Sequence, residues 1–382
     1  MKKCLSLGEI DRFQIIIQII PITVIILDNL LYYNSTFNNE FYDHVFAVMV
    51  SQSLGKSLSF IPFIISIIRN RNSKKKYQNV NNKLAKFPLI FLTSIVTFVI
   101  NLVFYIAIEE YQIDILIFDI ILLSTLAYLL MNIKFYRHQY LSIVMILIIG
   151  IIKNFINFSG GEIDWIKPLM SLLTEIFFCV NIILYKYIME YQFCSPFELC
   201  FYDGIFSLIL SIIGYAIATN KELSNHGQYY VEYNDKYYLD NFYEYFEKLS
   251  DIQQVMVFVY ETLHNLIFFL FPLIVIKKYT IFHYLIILTF DDDGSFYFIE
   301  NVENIKKSLY NMVCLLCIIF MHLIFNELIE VNCCQFQINT RKNITQRAIE
   351  DVFPIREKEG NPSLYSLESL IVDDGYSVNI DE

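Results

Sequence analysis

Glu261, His264 and Asn265 recur at i, i+3 and i+4, so on a helix they share one face, with Tyr260 beside them. A carboxylate next to an imidazole in a dry environment can pass a proton between the two groups. If the helix begins later, the same pair sits among lipid headgroups instead. Lys56 lies within Ser51-Gln52-Ser53-Leu54-Gly55-Lys56-Ser57, where residues 52, 53, 56 and 57 form a polar stripe on one helical face. Glu175 and Asn181 are six residues apart, which separates them by about 120° on a helix, although both can reach the interior. Asp119 and Asp203 are the other two acids read as interior candidates. Glu-x-x-His also occurs in di-iron bundles, but those need a second copy and further Glu ligands, so neither a metal nor another cofactor is expected.

Those residues sit in a chain that is 56% hydrophobic and only 18% charged, against nearly a quarter charged in ordinary soluble domains. The apolar residues arrive in blocks of about 20, each long enough to cross ~30 Å of hydrocarbon. Ten helices are expected, at roughly 13–32, 43–68, 88–108, 112–132, 140–157, 164–187, 196–218, 254–276, 279–299 and 308–328. The fold class is therefore an all-α polytopic membrane protein. The ninth block is broken by Asp291-Asp292-Asp293-Gly294 after about eleven apolar residues, so whether it spans is open. Phe13 to Leu31 is too long for a signal-peptide core, and Tyr32-Tyr33-Asn34 offers no small-x-small cleavage site, so it reads as a retained first helix.

Lys and Arg set the orientation. Placing the N-terminus in the cytoplasm gives that side fifteen before the tail and the opposite side seven, Lys153 among the latter. Both termini are then cytoplasmic. No cysteine falls in a predicted lumenal loop, so no extracytoplasmic disulfide is expected. Cys314-x-x-Cys317 lies inside the tenth helix and reads as core packing, while Cys333-Cys334 just beyond it is a candidate for palmitoylation. Asn34 and Asn157 head glycosylation sequons on the predicted lumenal side. Residues 220–253 form a large lumenal loop rich in acids and tyrosine, in which Asn241 to Leu249 has the pattern of a short interfacial helix. Residues 336–382 read as a disordered acidic tail. No basic patch interleaved with aromatics points to nucleic acid.

Ser195-Pro196-Phe197-Glu198 is a capping box: Ser as N-cap, Pro in the first helical position, Glu reaching back from the third. It accounts for those residues without any function, but not for Asp203. The predicted interior thus holds Asp119, Glu175, Asp203 and Glu261 against Lys56 alone, a balance that favours a cationic or zwitterionic solute, or carboxylates that carry protons. Lys56 either lines a cavity or pairs with an acid of another helix.

Several segments resemble the drug/metabolite transporter superfamily, and most closely the solute carrier family 35 group of nucleotide-sugar-transporter relatives. They are Tyr136-Arg137-His138-Gln139-Tyr140-Leu141-Ser142 with Gly150, and Ser195-Pro196-Phe197-Glu198 with Phe201-Tyr202-Asp203-Gly204-Ile205-Phe206. Met49 to Phe60, Thr174-Glu175 with Asn181, and Asn326 to Cys333 follow that group's order and spacing. The resemblance spans residues 40–335 and implies two inverted five-helix repeats, 1–157 and 158–335, with substrate bound between them. It departs where the group's helix-two Glu is Lys56, and where Tyr111-Gln112 is followed by Ile113-Asp114-Ile115-Leu116 without the group's Arg and Gly.

The expectation is an alternating-access carrier of a small polar solute, with proton coupling, in an endomembrane (Golgi, endoplasmic reticulum or vacuole) rather than the plasma membrane. The candidate pathway residues are Gln52, Lys56, Asp119, Glu175, Asn181, Asp203, Glu261, His264 and Asn265. A homodimer is compatible with this reading. A non-transporting scaffold or receptor is the alternative, and an enzyme is not expected because no nucleophile elbow, metal cluster or paired Asp-rich motif is present.

Overall fold

The computed structural model describes residues 5–7, 16, 18–24, 45–72, 83–107, 119–131, 133, 135–157, 166–219, 231–233, 236–238, 252–292 and 305–331. Helix dominates. Residues 18–24 are helical, and ten full helices follow: α1 (Val45–Ser57), α2 (Phe60–Asn72), α3 (Lys83–Ala107), α4 (Asp119–Met131), α5 (Arg137–Asn157), α6 (Ile166–Tyr191), α7 (Pro196–Thr219), α8 (Ile252–Lys278), α9 (Ile281–Asp292) and α10 (Ile305–Phe325). Each overlaps a block expected from the apolar runs, most running a few residues past its bounds, and α1 and α2 together cover the second block.

Six stretches are long and apolar enough to cross a membrane: Phe46–Ile68, Lys86–Val103, Arg137–Phe155, Leu172–Tyr191, Pro196–Ile217 and Val255–Lys278. Asp119–Met131 and Leu309–Phe325 are apolar but shorter. Helix α9 is described as far as Asp292, the second of the three successive acids that interrupt the ninth apolar block. The outward faces carry large apolar side chains, among them Ile64, Ile65 and Ile68 of α2, Leu129 and Leu130 of α4, and Ile212, Ile213 and Ile217 of α7. Polar groups lie inside: Lys56, Thr93, Asp203 and Glu261 are all buried. This inversion of the soluble pattern is what lipid as a solvent requires.

The second block is not one continuous helix. Residues 58 and 59 form a turn between α1 and α2, where Ser59 N–H bonds the Lys56 carbonyl at 3.1 Å and the Ser59 hydroxyl donates to the Phe197 carbonyl at 3.2 Å. The Cys200 thiol also approaches the Lys56 carbonyl, at 3.6 Å. The turn is thus tied to the start of α7 from both sides, through the Ser59 hydroxyl and the Lys56 carbonyl.

Helix α1 packs on α7 and α8, α3 on α6 and α7, α4 on α6, and α5 on α10. Two glycines permit the tightest of these approaches. A Cβ on Gly204 would lie 2.5 Å from the Ser57 nitrogen, and one on Gly55 would lie 2.5 Å from the Thr262 carbonyl oxygen. Helix α1 is thus held backbone to backbone between α7 and α8, and any side chain at either glycine would push them apart.

Four three-residue strands complete the fold. β1 (Leu5–Leu7) pairs antiparallel with β4 (Ile329–Val331), which joins the start of the chain to the segment after α10. β2 (Val231–Tyr233) pairs with β3 (Lys236–Tyr238) inside the large loop. The expected interfacial helix at 241–249, Asn34, Cys333-Cys334 and the tail 336–382 lie outside the described residues.

Candidate functional site

Asp203 is the hub. It lies about two turns into α7, two percent exposed, one residue before the glycine that lets α1 approach. That approach brings the Lys56 ammonium to 2.8 Å from Asp203 Oδ2. The Tyr185 hydroxyl of α6 donates to the same oxygen at 3.2 Å, and the Ser94 hydroxyl of α3 donates to Oδ1 at 2.7 Å. Thr93 Oγ1 lies 3.4 Å from Oδ1. The face of Phe269 on α8 covers the ammonium, 4.2 Å from ring centroid to Nζ. Five helices therefore converge on one ion pair. The ion-pair alternative for Lys56 is the one the geometry realises.

The network continues away from Asp203. Thr97 Oγ1 is 3.4 Å from the Tyr185 hydroxyl, and Asn181 Nδ2 donates to Thr97 Oγ1 at 2.9 Å. Asn181 Oδ1 is buried and has no hydrogen-bond partner. Farther along α1 and α3, Asn101 Nδ2 donates to Gln52 Oε1 at 2.7 Å. The spacing behind this is i, i+4 on every helix: Gln52 and Lys56; Thr93, Thr97 and Asn101; Asn181 and Tyr185; Asp203, Ser207 and Ser211; Glu261, Asn265 and Phe269. Each helix contributes one inward polar strip.

Glu261 and His264 lie well within α8, nine and twelve residues after its start at Ile252, and Glu261 is buried. Helix α8 therefore does not begin late. Glu261 Oε2 is 4.0 Å from His264 Nδ1, beyond hydrogen-bond length. The imidazole is stacked instead, at 12° to Tyr260 and 24° to Phe268, with centroids 6.2 and 5.9 Å away. Asn265 Nδ2 turns back to the Glu261 carbonyl at 2.7 Å. Asp119, at the first residue of α4, is buried, and both it and Glu175 act electrostatically on the buried Cys179 of α6. The Asp119 carbonyl lies 3.9 Å from Cys179 Sγ, at the α4–α6 contact.

Two expectations are corrected. Lys56 is not the only interior cation, because Lys153 on α5, counted on the lumenal side in the charge bias, is buried, and so is Lys186 on α6. Lys153 lies in the last turns of α5, which ends at Asn157 as the apolar block does. The Lys186 ammonium caps the end of α8, donating to the Ile276 carbonyl at 2.8 Å and the Tyr279 carbonyl at 3.3 Å while pairing with Glu190 at 2.6 Å. The interior charge balance is accordingly less acidic than the sequence suggested. The capping box is also only half formed. Ser195 Oγ accepts from Glu198 N–H at 3.1 Å, but the Glu198 carboxylate pairs with Lys86 of α3 instead of turning back. Lys277 donates to the Cys194 carbonyl at 2.9 Å across the same turn. Burial, with the Glu198 carboxylate beside it, pushes the Cys194 thiol up, so it stays protonated. Of the C-x-x-C pair, Cys314 is buried while Cys317 faces outward, so only the first packs in the core.

Sequence reasoning missed Thr93, Ser94, Thr97, Asn101, Tyr185 and Phe269. The i, i+4, i+8 run of Thr93, Thr97 and Asn101 was the available signal. At the same helix ends as Lys86 and Lys277, His138 Nε2 lies 3.3 Å from Glu327 Oε1, and Asn326 Nδ2 donates to the Phe282 carbonyl at 3.1 Å. These contacts tie α5, α9 and α10 together just before β4. Among the described residues, no group of three or more His, Cys, Asp or Glu is placed to hold a metal ion. Comparison with known proteins finds no family model that matches the chain and no similar curated protein, so what is known of the site comes from its geometry.

Proposed function

We propose that the chain is an alternating-access carrier of a small polar solute, a divergent relative of the drug/metabolite transporters with ten membrane helices in two inverted five-helix repeats, and not an enzyme. The observation that carries this is the Lys56–Asp203 pair: a buried ion pair between the second and seventh helices, where five polar strips meet beside a broken helix. Broken helices and charged groups buried among packed helices are how carriers build sites at repeat interfaces.

The packing supports the repeat. Let the helical turn at 18–24 stand for the first helix, and α1 with α2 for the second. Adding five to each helix number then carries the second–eighth contact onto the seventh–third, and the second–third onto the seventh–eighth. The second–seventh and fifth–tenth contacts map onto themselves. Gly55-Lys56 and Asp203-Gly204 occupy related places in the two repeats. The β1–β4 pair supports an even number of crossings, because two hydrogen-bonded strands lie on one side of a membrane.

In this reading, Lys56–Asp203 and Lys86–Glu198 close the pathway near its cytoplasmic end, each bridging the first repeat to the second. Glu261 and His264 stand farther along, where a proton can be taken up as the coupling ion. The Lys and Arg bias sets both termini in the cytoplasm, and the buried Glu261 on the α8 strip favours a cationic or zwitterionic solute.

Reconstituted protein in vesicles should accumulate a small solute in a manner driven by an imposed pH gradient. Glu261→Gln should keep the fold and lose the pH dependence. Unchanged pH-coupled flux in that variant contradicts the coupling role, and no flux of any tested solute class by folded protein contradicts the carrier. The second reading, a carrier-like scaffold, draws on the fact that Asp203 is already occupied by Lys56, Ser94 and Tyr185.

A further inference from the structure

We propose that Asp203, Tyr185, Asn181 and Phe269 form a binding cage for a primary ammonium group, that the Lys56 side chain is its built-in occupant in this state, and that the transported solute is an organic primary amine which displaces Lys56. This deepens the carrier reading and rests on it for the word transported. The cage itself stands on geometry alone.

An alkylammonium ion asks its host for an anionic acceptor, a second polar contact and an apolar or aromatic wall over its methylenes. The Lys56 head has the first and the last of these. One carboxylate oxygen lies 2.8 Å from Nζ, and the Phe269 ring caps it at 4.2 Å. The carboxylate is fixed from behind, since Ser94 holds its other oxygen at 2.7 Å and Tyr185 shares the first at 3.2 Å. A carboxylate positioned by three helices keeps its shape when one cation leaves, which a flexible surface pair does not do. Lys56 is the movable member, on a four-carbon stem, whereas Asp203 has a short stem and a neighbouring glycine locked against α1.

A second observation points to a ligand larger than the lysine head. Asn181 Oδ1 is five percent exposed by residue and has no hydrogen-bond donor, although its amide nitrogen is engaged with Thr97. Ser207, one turn beyond Asp203 on α7, is likewise buried with a hydroxyl that has no partner. A buried acceptor left without a donor costs about 1–3 kcal/mol. These two atoms sit on the polar strips that lead from the hub. A solute carrying its ammonium on Asp203 and a hydroxyl or amide along the strip would satisfy what the lysine leaves open. The exchange also explains how binding opens the closure, because the amine takes the charge that Lys56 was neutralising and frees the second helix from the seventh.

The cage is tested by filling it from solution. Thermal unfolding of the purified full-length protein is followed in detergent with propylammonium chloride, and with sodium and tetramethylammonium chlorides at the same ionic strength. Lys56→Ala should unfold several degrees below wild type, and propylammonium should restore it saturably while the other two cations do not. Wild type should need at least tenfold more propylammonium for the same stabilisation, because the tethered lysine competes. Adding Asp203→Asn to Lys56→Ala should abolish the rescue. Equal effects of all three cations, or rescue that survives Asp203→Asn, would overturn the cage. If Lys56→Ala does not fold, Phe269→Leu in an otherwise intact chain serves instead: amine stabilisation should weaken severalfold relative to wild type, and an unchanged response overturns the proposal. Saturable amine binding without amine flux in vesicles would uphold the cage and reject the carrier. Flux of other solutes without amine binding would do the reverse.

Discussion

The Asp203 hub and the Glu261–His264 cluster are both polar sites buried among apolar helices, yet they are built to opposite rules. At the hub, every charged atom meets a partner from another helix, and two glycines press the backbones together around it. On α8 the carboxylate and imidazole belong to one helix, stand 4.0 Å apart, and the ring is held by stacking on Tyr260 and Phe268. A site whose contacts cross between helices couples their positions, so changing it moves the fold. The Glu261–His264 pair lies within one helix, so a change of protonation between those two groups does not itself alter a spacing between helices. The first suits a gate and the second a proton-binding group, and mutations should separate them.

The largest effect is expected from Asp203→Ala. It strands Lys56 without its counter-ion in a low-dielectric interior, where breaking a buried pair costs about 3–5 kcal/mol. The midpoint of unfolding in detergent should fall sharply, and an unaffected midpoint would place Lys56 in contact with water. Gly204→Leu comes next, since even a Cβ meets the α1 backbone at 2.5 Å. It should cost a few kcal/mol by separating α1 from α7, and Gly204→Ala should cost less. Lys86→Gln, which removes a partly buried partner of Glu198 near a helix end, should cost on the order of 1 kcal/mol. Glu261→Gln should move stability least while removing the pH dependence of flux. If it destabilises as much as Asp203→Ala, the contrast between the two regions fails.

Much of the frame was legible because lipid leaves few choices. Long apolar blocks marked where α3, α5, α6, α7 and α8 would lie, and the polar strip around Lys56 marked an inward face. Ser195 was rightly read as a cap, since capping is a local property of four residues. What remained hidden was pairing. Lys56 and Asp203 are 147 residues apart, and nothing local to either names the other. The hydroxyls of Ser94 and Thr97 drew no notice because such groups can bond their own helix, and both do, to the carbonyls of Ile90 and Thr93. The burial of Lys153 and Lys186 went unread for a related reason: a long cationic side chain near a helix end can reach either the headgroup side or the interior, and its sequence neighbours are the same in both cases. Glu198 went to Lys86 and not to its own N-cap because an ion pair between helices outcompetes a local bond to a neutral N–H.

The central claim is that Lys56 and Asp203 hold the two halves together as a pair, and a double-mutant cycle tests it most directly. Chemical unfolding in micelles would be measured for wild type, Lys56→Met, Asp203→Leu and the double variant. The account predicts that each single change destabilises strongly, that the double is less harmful than either, and that the coupling is at least about 2 kcal/mol. Additive effects, with the double variant as unstable as the two singles combined, would contradict it.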